Sequence, residues 1–300
     1  MIMKSIQLYI CEFNRKNLGD YLPMLLFPKF GLQPNEKTIS QSHNPQMISI
    51  GTILSLPKTQ PYTGIIWTSG LGGVLQLDLT KSKVYALRGK LTLKYCTLTN
   101  AQSDNLVLGD GGLLIDTLIE DKTPFLSRTT VRNRMLNDMK SLDNIDFTKF
   151  IVDRKLKIGI IPHYIDQKNA KQIIEERNDG WKTNLKWINI CDPADKIMKE
   201  MNECDFIIAS TLHGLITADA LSIPNQWVFF NGSKRIGSKD FKYVDYYSVF
   251  DLQKDIQAVD ITKSTSTNDI FKDWSTYERP GIDTVKENLK MSLEKMINEI

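Results

Sequence analysis

Short apolar runs that stop on glycine-rich or polar turns recur along the whole chain, and this rhythm restricts it to a sheet of short buried strands. In the first half the runs cover residues 6–11, 47–50, 64–67, 83–87 and 106–108. The turns that follow are Asn17-Leu18-Gly19-Asp20, Ile50-Gly51-Thr52, Ser69-Gly70-Leu71-Gly72-Gly73, Arg88-Gly89 and Gly109-Asp110-Gly111-Gly112. Uninterrupted apolar runs mark strands buried on both faces, as in parallel sheets covered by helices. The second half repeats the pattern, with strands predicted at 157–161, 186–190, 206–209 and 226–230 and helices at 169–177, 193–203 and 214–221. Residues 283–300 place Val285, Leu289, Leu293 and Met296 at helical spacing, which predicts an amphipathic closing helix. Residues 121–153 are polar, carry Arg128, Arg132 and Arg134, and read as a helical linker. The expected architecture is α/β: two Rossmann-like doubly wound domains, residues 1–150 and 151–300, facing a cleft.

Composition narrows the function classes. With 300 residues, 41% hydrophobic and 24% charged, the chain can bury two cores of ordinary size. Its 38 basic and 35 acidic residues leave a net charge of +3, too little for a nucleic-acid footprint. The start leads directly into a strand without a secretion leader, and no apolar run reaches the ~20 residues that cross a bilayer. A cytoplasmic protein is expected. Cys11, Cys96, Cys191 and Cys204 form no CxxC pair, so free thiols are expected, with neither disulfides nor a metal site.

Ligands of open α/β sheets bind beyond the carboxyl ends of the strands, so residues just after strands are the functional candidates. His213 follows the 206–209 run in Ser210-Thr211-Leu212-His213-Gly214, and His163 follows the 157–161 run, with Asp166 near enough in sequence to orient it. Arg88 ends the 83–87 run, where a guanidinium can grip a carboxylate or phosphate; the plainer reading is a salt bridge to an acid such as Asp110. Asn17, Gly19, Asp20 and the stretch from Ser69 to Gly73 offer side chains and backbone N–H groups to an anion or a sugar. In the aromatic segment 241–250, Lys242 can meet an anion while rings such as Tyr243 and Tyr246 stack on a sugar, or the segment is a partly buried aromatic cluster.

Taken in order, several segments resemble the polysaccharide pyruvyl transferase family. They are Asn17-Leu-Gly-Asp-Tyr-Leu22, Trp67-Thr-Ser-Gly70, Ala86-Leu-Arg-Gly-Lys-Leu-Thr92, Leu108-Gly-Asp110, Ile158-Gly-Ile-Ile-Pro-His-Tyr164, Ser210-Thr-Leu-His-Gly-Leu-Ile216 with Ala218-Asp-Ala220, and Phe241-Lys-Tyr-Val-Asp-Tyr-Tyr247. Gly111 stands where relatives often have Pro, and Thr211 where some have Arg, which shifts anion binding toward Arg88 and Lys242.

The resemblance implies a fold similar to two-domain (GT-B-like) glycosyltransferases. It also implies transfer of the pyruvyl group of phosphoenolpyruvate to two hydroxyls of one sugar, giving a cyclic ketal and phosphate without a cofactor. The implied acceptor is a saccharide of a capsule, exopolysaccharide or cell-wall polymer, often lipid-linked, met at the inner face of a membrane. On this reading His213 and Arg88 are catalytic. Lys242, His163, Thr211 and Gly214 bind the donor, while Asn17, Asp20, Ser69, Asp110 and Tyr246 bind the acceptor, with the first domain as the acceptor side. The residues alone leave open a nucleotide-sugar glycosyltransferase of the same architecture and a non-catalytic saccharide-binding protein.

Overall fold

A computed structural model describes residues 4–10, 17–38, 45–54, 61–142, 144–177, 180–230, 240–263 and 266–300. Cys11 lies outside them. The chain runs β1 (Lys4–Ile10), α1 (Leu18–Lys29), β2 (Leu32–Thr38), β3 (Met47–Ile48), β4 (Ile65–Ser69), β5 (Leu77–Asp78), β6 (Lys83–Leu87), α2 (Lys90–Lys94), β7 (Cys96–Thr97), α3 (Asn100–Asp104) and β8 (Val107–Leu108). It continues through α4 (Thr123–Lys140), α5 (Phe147–Asp153), β9 (Ile158–Ile161), α6 (Gln167–Glu176), β10 (Leu185–Trp187), α7 (Ala194–Asn202), β11 (Phe206–Ala209), α8 (Leu212–Ala220) and β12 (Asn225–Phe229). It closes with α9 (Phe241–Tyr247), β13 (Val259–Asp260), α10 (Thr267–Phe271) and α11 (Ile282–Glu299).

Two compact units result, and both are discontinuous in sequence. The first comprises Met1–Leu118, Ile236–Ile256 and Pro280–Ile300; the second comprises Ile119–Arg235 and Gln257–Arg279. The closing helix therefore belongs with the N-terminal strands and not with residues 151–300. Its apolar stripe, Leu289, Leu293, Met296 and Ile297, is buried. Trp67 Nε1 donates to Ser292 Oγ at 3.0 Å and Lys4 Nζ to the Ile297 carbonyl at 2.7 Å. Gly109, at φ +153°, sits where a Cβ would meet Val285 and Leu289, so the turn after β8 leaves room for this helix only as glycine.

The first unit's main sheet has the order β2-β1-β3-β4-β6-β8, with every pairing parallel. The chain winds outward from β1 to β2, then returns to the other side of β1 with β3. β2 pairs in seven-residue register with β1 alone, and such an edge position tolerates Pro34.

The second unit repeats the design as β10-β9-β11-β12-β13, again all parallel. Ile158, Ile160, Phe206 and Ile208 pack with Trp181, Phe271 and Trp274 in its core. The segment expected to link two domains is instead built into this unit through α4. Met135 and Met139 enter the core, and fully buried Arg132 donates from Nε to the Cys204 carbonyl at 3.0 Å and from Nη2 to the Asn202 carbonyl at 2.5 Å. A guanidinium there complements the carbonyl end of α7. Both sheets are Rossmann-like, and each has a topological switch point, between β1 and β3 and between β9 and β11, where such folds place ligands. Among the described residues, no helix is long and apolar enough to cross a membrane.

Candidate functional site

At the switch point of the second unit, β9 delivers His163 and β11 delivers Ser210, Thr211 and His213. Ser210 joins the two loops: its N–H donates to the Ile161 carbonyl at 3.1 Å, its Oγ accepts from the His163 N–H at 2.9 Å, and that hydroxyl donates to Asp166 Oδ2 at 3.2 Å. Asp166 is fully buried, its own N–H donating to the His163 carbonyl at 2.7 Å. His163 is half-buried, with its ring centroid 4.5 Å from that of Tyr164.

Thr211 is the extended N-cap residue of α8, and half-buried His213 stands in that helix's first turn. The first N–H groups of a helix lack intrahelical acceptors and favour an anion. Gly214 has no room for a side chain: a Cβ would lie 2.8 Å from Thr211 Cγ2 and 3.2 Å from Ile161 Cγ2. Its missing side chain is what lets α8 close onto the ends of β9 and β11.

The first unit gathers a different set. Asn17 caps α1, its Oδ1 accepting from the Gly19 N–H at 3.1 Å and the Asp20 N–H at 3.4 Å, and its amide also donates to Asp20 Oδ2. An Asn cap of this kind is why the chain turns into a helix here. Burial pushes the Asp20 carboxyl up to about 6, against the opposing pull of the Asn17 hydrogen bond and the Lys242 charge. Asn17, Asp20 and Lys242 thus form a half-buried polar group beside the first switch point.

Four residues expected to touch substrate are interior groups. Arg88 is fully buried, donating from Nε to Asp245 Oδ2 at 2.9 Å, from Nη1 to Thr52 Oγ1 at 2.7 Å and from Nη2 to the Leu71 carbonyl at 2.5 Å. The plainer reading of Arg88 holds, with Asp245 as partner in place of Asp110. Asp245 also accepts from the Thr92 N–H and hydroxyl, both at 2.7 Å. A Cβ at Gly70 would enter the Arg88 guanidinium, and one at Gly89 would enter the Asp245 backbone.

The Ser69 hydroxyl is buried on the Gly51 carbonyl at 3.3 Å. The Gly70 and Leu71 N–H groups, expected to face an anion, are taken up by the Gly51 carbonyl at 3.0 Å and Thr92 Oγ1 at 3.1 Å. Tyr246 is fully buried against Tyr247 and Phe250, so the aromatic segment packs inward and this ring offers no face to a sugar. Sequence reasoning missed Asp245, Thr92 and the bridging role of Ser210.

Asp110 is the fourth interior group, its Oδ1 accepting from the Gly112 N–H at 2.8 Å. Desolvation pushes its carboxyl from 3.8 up to about 6, with the Gly112 hydrogen bond and Arg88 pulling down and Asp245 pushing up. The unfolded chain releases this proton near pH 4 and the folded protein only near 6, so stability falls as pH rises through that window. Asp110→Asn is therefore expected to raise the unfolding free energy at pH 7 by roughly 3 kcal/mol, a gain that fades as pH falls toward 4. Urea titrations at the two pH values check this. Equal stability at pH 7, or a gain that survives at pH 4, contradicts it.

Among the described residues no cluster of three or more His, Cys, Asp or Glu side chains is placed to hold a metal ion. Two parallel α/β sheets, each with polar groups at its switch point and one with two histidines there, define a Rossmann-like protein. The family model for polysaccharide pyruvyl transferase matches residues 64–228, more than half of the sequence, and the chain belongs to that family, which is one of transferases. It is also 29% identical over 217 residues to an uncharacterised protein of Acanthamoeba polyphaga mimivirus, a match that takes in 71% of this chain and 63% of that protein.

Proposed function

We propose that this protein moves the pyruvyl group of phosphoenolpyruvate onto two hydroxyls of one sugar. The observation that carries the reading is the family match over the segment that contains β9, β11 and α8. In the proposed reaction a proton adds to the donor's methylene carbon while a first sugar hydroxyl bonds to its central carbon. Phosphate then leaves, and the second hydroxyl closes the ketal. The two hydroxyl protons supply the new methyl hydrogen and the proton taken up on forming free phosphate, so the balance closes without a cofactor.

His213 exchanges these protons or protonates the departing phosphate, chemistry suited to an imidazole at neutral pH. Thr211, Gly214 and His163 line the donor's place at the start of α8, where a helix N-terminus favours phosphate. Asp20, whose carboxyl burial pushes up to about 6, takes a proton from the acceptor; Asn17 and Lys242 set its orientation and charge. Arg88 serves as a buried tie to α9 in place of an anion clamp. The acceptor is a saccharide of a capsule, exopolysaccharide or cell-wall polymer, carried on lipid at the inner face of a membrane. The two-domain, glycosyltransferase-like organisation implied by the family resemblance is part of the proposal.

The deciding experiment incubates the protein with phosphoenolpyruvate and a panel of model glycosides. Mass spectrometry is expected to show one pyruvyl ketal per acceptor, with equimolar phosphate. Turnover of nucleotide sugars in place of phosphoenolpyruvate would replace this reading with glycosyl transfer.

A further inference from the structure

Every residue of α8 is buried except His213. A helix covered on all sides has no amphipathic stripe to fix its rotation about its own axis. One buried charge breaks the uniformity: Asp219, part of the Ala218-Asp219-Ala220 segment that the proposed chemistry leaves without a role. Its carboxylate is fully buried and accepts three hydrogen bonds. Oδ1 takes one from Asn225 Nδ2 at 2.6 Å and one from the Tyr277 hydroxyl at 2.8 Å, while Oδ2 takes one from Arg279 Nε at 3.0 Å. The Arg279 side chain is itself only 6% exposed; its Nη2 donates to Asn225 Oδ1 at 3.3 Å, and its guanidinium lies 4.6 Å from the Tyr277 ring centroid.

A buried ion pair adds little net stability because desolvation offsets the attraction, and its best attested use is to specify register. Residues six apart on a helix are turned by about 240° from one another. Anchoring Asp219 inward therefore settles the direction of His213, the one residue of α8 that reaches the surface.

We propose that Asp219, held by Asn225, Tyr277 and Arg279, is a positioning residue that sets the rotation of α8 and so aims His213. The kinetic side of this inference rests on the pyruvyl-transfer reading; the structural side does not. The chain has three histidines, so the His213 ring signals can be followed by NMR in the full protein after assignment with single His→Gln variants. Tyr277→Phe removes one hydrogen bond and keeps the ion pair, and Arg279→Lys keeps the charge and removes the fork that spans Asp219 and Asn225.

Both variants are expected to shift or broaden the His213 signal while His163 stays in place, with the larger effect in Arg279→Lys. The kcat for phosphate release should fall about tenfold with the phosphoenolpyruvate KM unchanged, within the ~100-fold that a 1 Å misplacement can cost. A purely structural network would lower only the melting temperature, so unmoved His213 signals in both variants overturn the proposal. A wild-type protein that releases no phosphate defeats pyruvyl transfer, and the NMR result then decides the positioning role by itself.

Discussion

Asp245→Ala is expected to cost about 3–5 kcal/mol of unfolding free energy, the usual consequence of stripping one partner from a buried ion pair. The loss falls on the first unit, where the Arg88 guanidinium would remain fully buried without its hydrogen-bonded carboxylate partner. The Thr92 N–H and hydroxyl would lose their acceptor as well. Gly70 and Gly89 lie directly against the pair, with no space there for a side chain. Replacing both charges at once, as Arg88→Met with Asp245→Leu, is expected to recover the part of the loss that comes from the unpaired charge, while the Thr92 N–H and hydroxyl stay without their acceptor. Urea unfolding of the two variants measures both effects. If Asp245→Ala unfolds like the wild type while Arg88→Ala raises the donor KM, Arg88 is an anion clamp and not a structural tie.

That contrast shows where the sequence is readable. β4, β6, β9, β11 and β12 are visible because a parallel strand buried on both faces must be an unbroken apolar run. β2 is not, since buried Leu32 and Pro34 alternate with exposed Gln33 and Asn35, and Gln33-Pro34-Asn35-Glu36-Lys37-Thr38 holds no apolar run. His163 and His213 are legible as strand-end residues because strand ends can be located. The partner of Arg88 is not, because Asp245 lies 157 positions away and nothing local marks it.

The same distance hides the composition of each unit. Trp67 and Ser292 meet across 225 positions, and no local pattern assigns the closing helix to the first sheet. Tyr246 misleads for another reason: an aromatic-rich run has the same composition whether its rings stack on a ligand or on one another, and here Tyr247 and Phe250 take that place.

His213→Ala is expected to lower phosphoenolpyruvate-dependent phosphate release by about 10²–10⁴-fold, the range a positioned acid or base contributes. Its stability should change by about 1 kcal/mol or less, because the residue is only half-buried. The two readouts separate chemistry from folding. Gly214, one residue on, is the opposite case: its Cβ would press into Thr211 and Ile161, so a substitution there disturbs the packing that seats α8. Ser210→Ala falls between them, breaking the bridge from His163 to Asp166 while leaving His213 on its helix. If His213 carries the proton, its loss must exceed that of Ser210→Ala at saturating donor, because only His213 acts on the reacting atoms. Equal rates for wild type and His213→Ala, with the correct acceptor present, remove the histidine from the mechanism and leave the His163–Ser210–Asp166 group as the centre to test.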